Sequence, residues 1–178
     1  MKVYFVRHGQ TDWNVQSRIQ GQSDIPLNQQ GIAQAKALAA QLKTLAIDCI
    51  ITSPLQRTKQ TAALLNETLQ VPILEEEGLK ERDFGEFEGV LKSEMDFDAA
   101  FDYEQDRHYE SCENIRDFYE RIYTCLDELK KKMAGQSVLL VAHGAVSIAI
   151  YYYAQGKQYD GSPTSHIAPN AELVCFEL

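Results

Sequence analysis

Val3-Tyr4-Phe5-Val6-Arg7-His8-Gly9-Gln10-Thr11 decides how this chain is read. Four successive apolar residues, β-branched or aromatic, mark a strand buried on both faces. Gly9 marks the turn that ends it. In an open α/β sheet, ligands collect outside the carboxyl ends of the strands, so Arg7 and His8 stand where chemistry takes place. A guanidinium beside an imidazole there points to an anion held next to a nucleophile or proton carrier. Alone, such a pair is weak evidence, because a lone strand-end histidine more often serves structure.

The pattern recurs. Val138-Leu139-Leu140-Val141-Ala142 is a second apolar run, ending in His143-Gly144. Cys49-Ile50-Ile51-Thr52 is a third, followed by Ser53-Pro54-Leu55-Gln56-Arg57. Ser53 is placed to cap a helix, Pro54 suits its first position, and Arg57 falls in its first turn. Three strands thus bring two histidines and two arginines to one sheet edge. Two arginines can clamp a phosphate through multidentate hydrogen bonds, and a helix N-terminus adds backbone donors.

Around these runs the periodicity predicts helices over 29–45 (capped by Asn28), 55–69, 113–133 and 145–153. A short strand falls at Ile73-Leu74 and a last one over 173–178. The alternation predicts a single α/β domain over 1–178: a three-layer sandwich whose mostly parallel central sheet carries helices on both faces.

Arg7-His8-Gly9, with Thr11 and Asn14 beyond it, resembles the opening signature of the histidine phosphatase superfamily, the phosphoglycerate mutase-like proteins. Further blocks follow in order. Gln20-Gly21, Asp24, Pro26-Leu27, Gly31 and Gln34-Ala35 resemble the segment after the first histidine. Ser53-Pro54-Leu55, Arg57 and Gln60-Thr61-Ala62 resemble the second block. Leu79, Glu81, Phe84-Gly85 and Glu88-Gly89 resemble the acid-bearing block, and His143-Gly144 the last. Four ordered blocks spread over nearly the whole chain make a specific signal.

The resemblance implies a metal-independent phosphomonoester hydrolase, without cofactor, in which His8 takes up the phosphoryl group. Arg7, Arg57, Asn14, His143 and Gly144 would surround the phosphate. Glu81 would protonate the leaving alkoxide, and burial should raise its pKa for that role. Asp83 is its nearest rival, while Glu75, Glu76, Glu77, Glu86 and Glu88 are expected mostly on solvated surface. Cys112-Glu113-Asn114 stands where the family has Gly-Glu-Ser, and Glu113 is expected to cap the following helix.

Composition narrows the partners. Seventeen Lys and Arg against 26 Asp and Glu give a formal charge of −9, which argues against nucleic acid. No apolar run reaches the ~20 residues needed to span a membrane, and no signal peptide is read at the start. The four cysteines lack metal-type spacing and read as reduced thiols of a cytoplasmic protein. The expected partner is a small-molecule phosphomonoester; oligomeric state is not legible.

An insert at about 90–111 is expected as a short lid. From Glu94 to Glu110 it carries Glu94, Asp96, Asp98, Asp102, Glu104, Asp106 and Glu110 against Arg107 alone. If those acids face the substrate, they repel a second anionic group, which favours a phosphatase over a mutase. Phe97, Phe101, Tyr103 and Tyr109 offer faces for a ring, as in a nucleoside-like or ribazole-type monophosphate. A solvated helix whose aromatics pack on the body is the competing reading. His108 and His166 are expected at the surface. Phosphoglycerate mutase-type transfer and an inactive phosphate-binding domain remain the alternatives.

Overall fold

The computed structural model describes residues 1–177, so Leu178 of the expected last strand lies outside it. Five strands form one sheet: β1 (Lys2–Arg7), β2 (Cys49–Thr52), β3 (Ile73–Glu75), β4 (Ser137–Ala142) and β5 (Leu173–Glu177). Their spatial order is β3-β2-β4-β1-β5. The first four run parallel, and β5 lies antiparallel to β1. Around them lie α1 (Asp12–Val15), α2 (Gln29–Leu42), α3 (Gln56–Leu69), α4 (Phe97–Phe101), α5 (Ile115–Lys132) and α6 (Gly144–Ala154).

The strands are apolar on both faces because both faces are covered. Tyr4, Val6, Ile50, Leu139 and Val141 pack on Leu38, Leu42, Ala62 and Leu65 of α2 and α3. Their neighbours Val3, Phe5, Ile51, Val138 and Leu140 pack with residues of α5 and α6. Each large side chain removed from water contributes about 1.5–3 kcal/mol. Register then positions the site. Arg7 pairs with Ala142, and Thr52 with Val141. The three central strands therefore finish level and deliver His8, Ser53 and His143 side by side.

Several boundaries differ from expectation. α2 stops at Leu42, and Leu45 packs beneath it through a turn. α3 begins after Leu55, with no side-chain cap. Ser53 is drawn instead to His143. The cap of α5 is Asn114, whose side chain accepts from the Arg116 N–H. α1 and α4 span four and five residues, too short for a periodic pattern to register.

Candidate active site

His8 follows β1 and is almost wholly buried. The next residue must be glycine, because a Cβ at Gly9 would lie 2.5 Å from the Gly31 carbonyl oxygen. That close approach holds α2 against the strand end. His8 Nδ1 lies 2.7 Å from the Gly9 carbonyl oxygen. A carbonyl only accepts, so Nδ1 carries the proton and Nε2 keeps its lone pair. Burial, then Arg57 and Arg7, hold the His8 pKa well below the ordinary 6.5. The ring is neutral and its tautomer is fixed.

His143 stands at the N-terminus of α6, its ring centroid 5.4 Å from that of His8. Its Nε2 is 2.8 Å from Ser53 Oγ. Burial and the charge of Arg57 depress its pKa in the same way. Arg57, fully buried on α3, donates to the Gly21 and Ser23 carbonyls at 2.7 and 2.8 Å. Burial brings its pKa down to about 10. Arg7 donates to the Ala168 carbonyl at 3.0 Å. Among the described residues, Arg7 Nε, Arg57 Nε and His143 Nδ1 are buried without a hydrogen-bond partner. Leaving such groups unpaired costs about 1–3 kcal/mol each. An oxygen-rich anion is their natural complement.

The remaining expected residues line one pocket with Arg7, His8 and Arg57, whereas fully buried His143 is not part of its wall. Its wall includes Arg7, His8, Asn14, Arg57, Glu81 and Gly144. Asn14 Oδ1 accepts from the Thr11 N–H at 3.0 Å, which leaves the amide Nδ2 as the donating end. Gly144 lies against Arg7: a Cβ there would meet Arg7 Cζ at 3.4 Å, in van der Waals contact. Glu81 Oε2 accepts from the Ala145 N–H at 3.2 Å, at the start of α6. Burial raises its pKa, opposed by that hydrogen bond and by Arg57. Asp83 does not line the pocket; its Oδ1 accepts from the Gly85 N–H at 2.8 Å.

The insert departs from the acidic reading. None of its seven carboxylates lines the pocket. Asp96 caps α4 and approaches Arg107, and Asp98 accepts from Thr164. Asp102 closes its own turn, and Asp106 pairs with Arg116 at 3.3 Å. What the insert presents to the pocket is Phe97, Phe101 and Lys92, beside Phe84, Ile167 and Arg18. Lys92 and Arg18 were missed in the sequence. Lys92 sits two residues before the acidic run, so a charge count over that run passes it by. Burial and the nearby Arg7 lower its pKa.

Three further expectations change. Glu113 does not cap α5: it grips Arg121 with both oxygens at 2.8 Å, and Arg121 in turn donates to the Gly78 and Lys80 carbonyls. This pair braces the segment that carries Glu81. Glu88 is no solvated carboxylate, since it accepts from the backbone of Gln22, Ser23 and Phe84. His166 stacks on Tyr151 at 3.7 Å and bonds Asp160, whereas His108 is exposed. Among the described residues no three His, Cys, Asp or Glu side chains gather as a metal site. No helix among them is long and apolar enough to cross a membrane.

Comparison with known proteins identifies the family and the fold. A family model described as histidine phosphatase superfamily, branch 1, matches residues 3–178. A Bacillus subtilis (strain 168) protein named uncharacterized phosphatase PhoE is 39% identical over 148 residues, covering 83% of this chain and 74% of its own. Probable phosphoglycerate mutase GpmB of Klebsiella pneumoniae (strain 342) is 35% identical over 155 residues, 81% of this chain and 70% of its own. Among solved structures, Bacillus stearothermophilus YhfR superposes with a TM-score of 0.88 at 26% identity, covering 99% of this chain and 91% of that one.

Proposed function

This chain belongs to the histidine phosphatase superfamily, and from that premise we propose that it hydrolyses a small phosphomonoester through a phosphohistidine, without a metal. The observation that carries the reading is the His8 tautomer. With Nδ1–H held by the Gly9 carbonyl, Nε2 keeps its lone pair for attack, and Arg7 and Arg57, which line the same pocket, each keep a buried Nε–H without a partner. Nε2 attacks phosphorus and the ester P–O bond breaks, the leaving oxygen taking the Glu81 proton. Arg7, Arg57 and His143 stabilise the equatorial oxygens as charge shifts. Glu81, now a carboxylate, takes a proton from water; the resulting hydroxide attacks phosphorus, the N–P bond breaks and inorganic phosphate forms. The two arginines supply the positive field that a metal supplies elsewhere, His143 acting as a neutral hydrogen-bonding ring, and the four cysteines, all unpaired, suit a reducing cytoplasm.

Lys92 and Arg18 support a substrate class. Both line the pocket beyond the phosphate cluster, and neither forms an ion pair with a carboxylate among the described residues. A phosphomonoester that also bears a carboxylate complements them, and phosphoglycerate, in the name of one relative, is of that kind.

The test is a short incubation with labelled phosphomonoesters in the presence of a chelator. Acid-labile, alkali-stable label on His8 and release of inorganic phosphate are expected. Activity that vanishes with the chelator and returns only with a divalent metal overturns the reading. Isomerised phospho-acid in place of free phosphate moves it to a mutase.

A further inference from the structure

We infer that Glu88 is a positioning residue for phosphoryl transfer, setting the Arg57 guanidinium through the backbone of residues 21–23. The inference rests on the phosphatase reading above. Glu88 does not line the pocket. Its Oε1 accepts from the Gln22 N–H at 2.8 Å and the Phe84 N–H at 3.2 Å. Its Oε2 accepts from the Ser23 N–H at 2.7 Å and the Ser23 hydroxyl at 2.5 Å. Four donors saturate the carboxylate and tie the acid-bearing block to this loop.

The same loop also supplies carbonyls to Arg57. Gly21 and Ser23 offer the two oxygens that hold Arg57 by both terminal nitrogens. Arg57 keeps its buried Nε for the ligand. Gly21 shows how close the seating is: its φ is +52°, and a Cβ there would fall 2.0 Å from Glu88 Oε1. A guanidinium held by two carbonyls turns when those carbonyls move. Its planar fork makes the direction of each N–H matter as much as its distance.

Glu88→Gln is nearly isosteric and gives a sharp test. Whichever way its amide turns, the NH2 meets at least one backbone N–H that had an acceptor, so the loop must shift. The expected result is a fall in kcat/KM of about 10²-fold, the scale of a displacement near 1 Å. The inhibition constant of inorganic phosphate should rise with it. In an Arg57→Ala background the same substitution should add little, because the residues act as one unit. Each protein is first shown to melt cooperatively.

Wild-type phosphate inhibition in folded Glu88→Gln, or losses that add in full to those of Arg57→Ala, overturns the inference. Should Glu88→Gln not fold, Ser23→Ala carries the test by removing one donor. A several-fold weaker phosphate inhibition then supports the link, and no change sinks it. A wild type that neither turns over phosphomonoesters nor is inhibited by phosphate instead sinks the phosphatase reading itself.

Discussion

His8 and Glu81 are perturbed in opposite directions, and the two signs set the pH profile. His8 reacts as the neutral ring, and its pKa lies well below 6.5, so activity should persist into the acid range. Glu81 reacts as the protonated acid, and burial raises its pKa. The protonated fraction shrinks as pH rises through that value, so kcat/KM falls on the alkaline side. Glu81→Gln should cost about 10²–10⁴-fold with alkyl phosphates and abolish the alkaline limb. Nitrophenyl phosphate, whose leaving group hardly needs a proton, should lose much less in the phosphoryl-transfer step measured by its burst. Equal losses for both substrates would falsify the role given to Glu81.

At the scale of elements, the insert is fastened to the body. Fully buried Arg82 donates to the Ala100 and Glu113 carbonyls and lies over the Phe84 and Phe101 rings. Arg82→Met should leave those carbonyls unpaired and destabilise the fold by about 2–3 kcal/mol, read from urea unfolding. The insert's charges should matter less than its count of acids suggests. Asp98→Asn, Asp102→Asn and Asp106→Asn are expected to leave the preference between carboxylate-bearing and neutral phosphomonoesters within about 2-fold, because screened surface charges act weakly at a distance. Lys92→Ala should raise KM for the carboxylate-bearing substrate alone. A preference altered by the aspartates and not by Lys92 would reverse the assignment.

For the whole molecule, two buried neutral histidines link stability to pH. In the unfolded chain His8 and His143 take up protons below about 6.5; in the fold their pKa values lie well below that. The unfolded state then binds more protons, so stability is complete above 6.5 and is lost as pH falls toward the folded values. Each histidine adds at most about 1.4 kcal/mol per pH unit to that slope. Glu81 acts the other way: its raised pKa lets the fold hold a proton that the unfolded chain releases, adding stability as pH falls toward 4.5. Two groups outweigh one. Urea midpoints should change little between pH 7.5 and 6.5 and fall by pH 5.5, and His8→Asn should flatten that fall. An unchanged slope in that variant would show that His8 is not the proton acceptor in unfolding.

What the sequence determined is what depends on local pattern. Apolar runs ending in Arg7-His8, Thr52 and His143 defined parallel strands buried on both faces, and parallel strands that end level bring their next residues together whatever the loops do. The tertiary structure decided what depends on direction. A row of acids in the insert says nothing about where each carboxylate turns, and packing of Phe97, Ala100 and Phe101 sends the acids away from the pocket. Ser53 carried a good cap signal, yet proximity to His143 across the sheet won its hydroxyl. Glu88 and Glu113 read as surface and cap because their partners lie 65 and 8 residues away. Hydrogen bonds across such separations are set by how the elements pack, which neighbouring residue types do not encode.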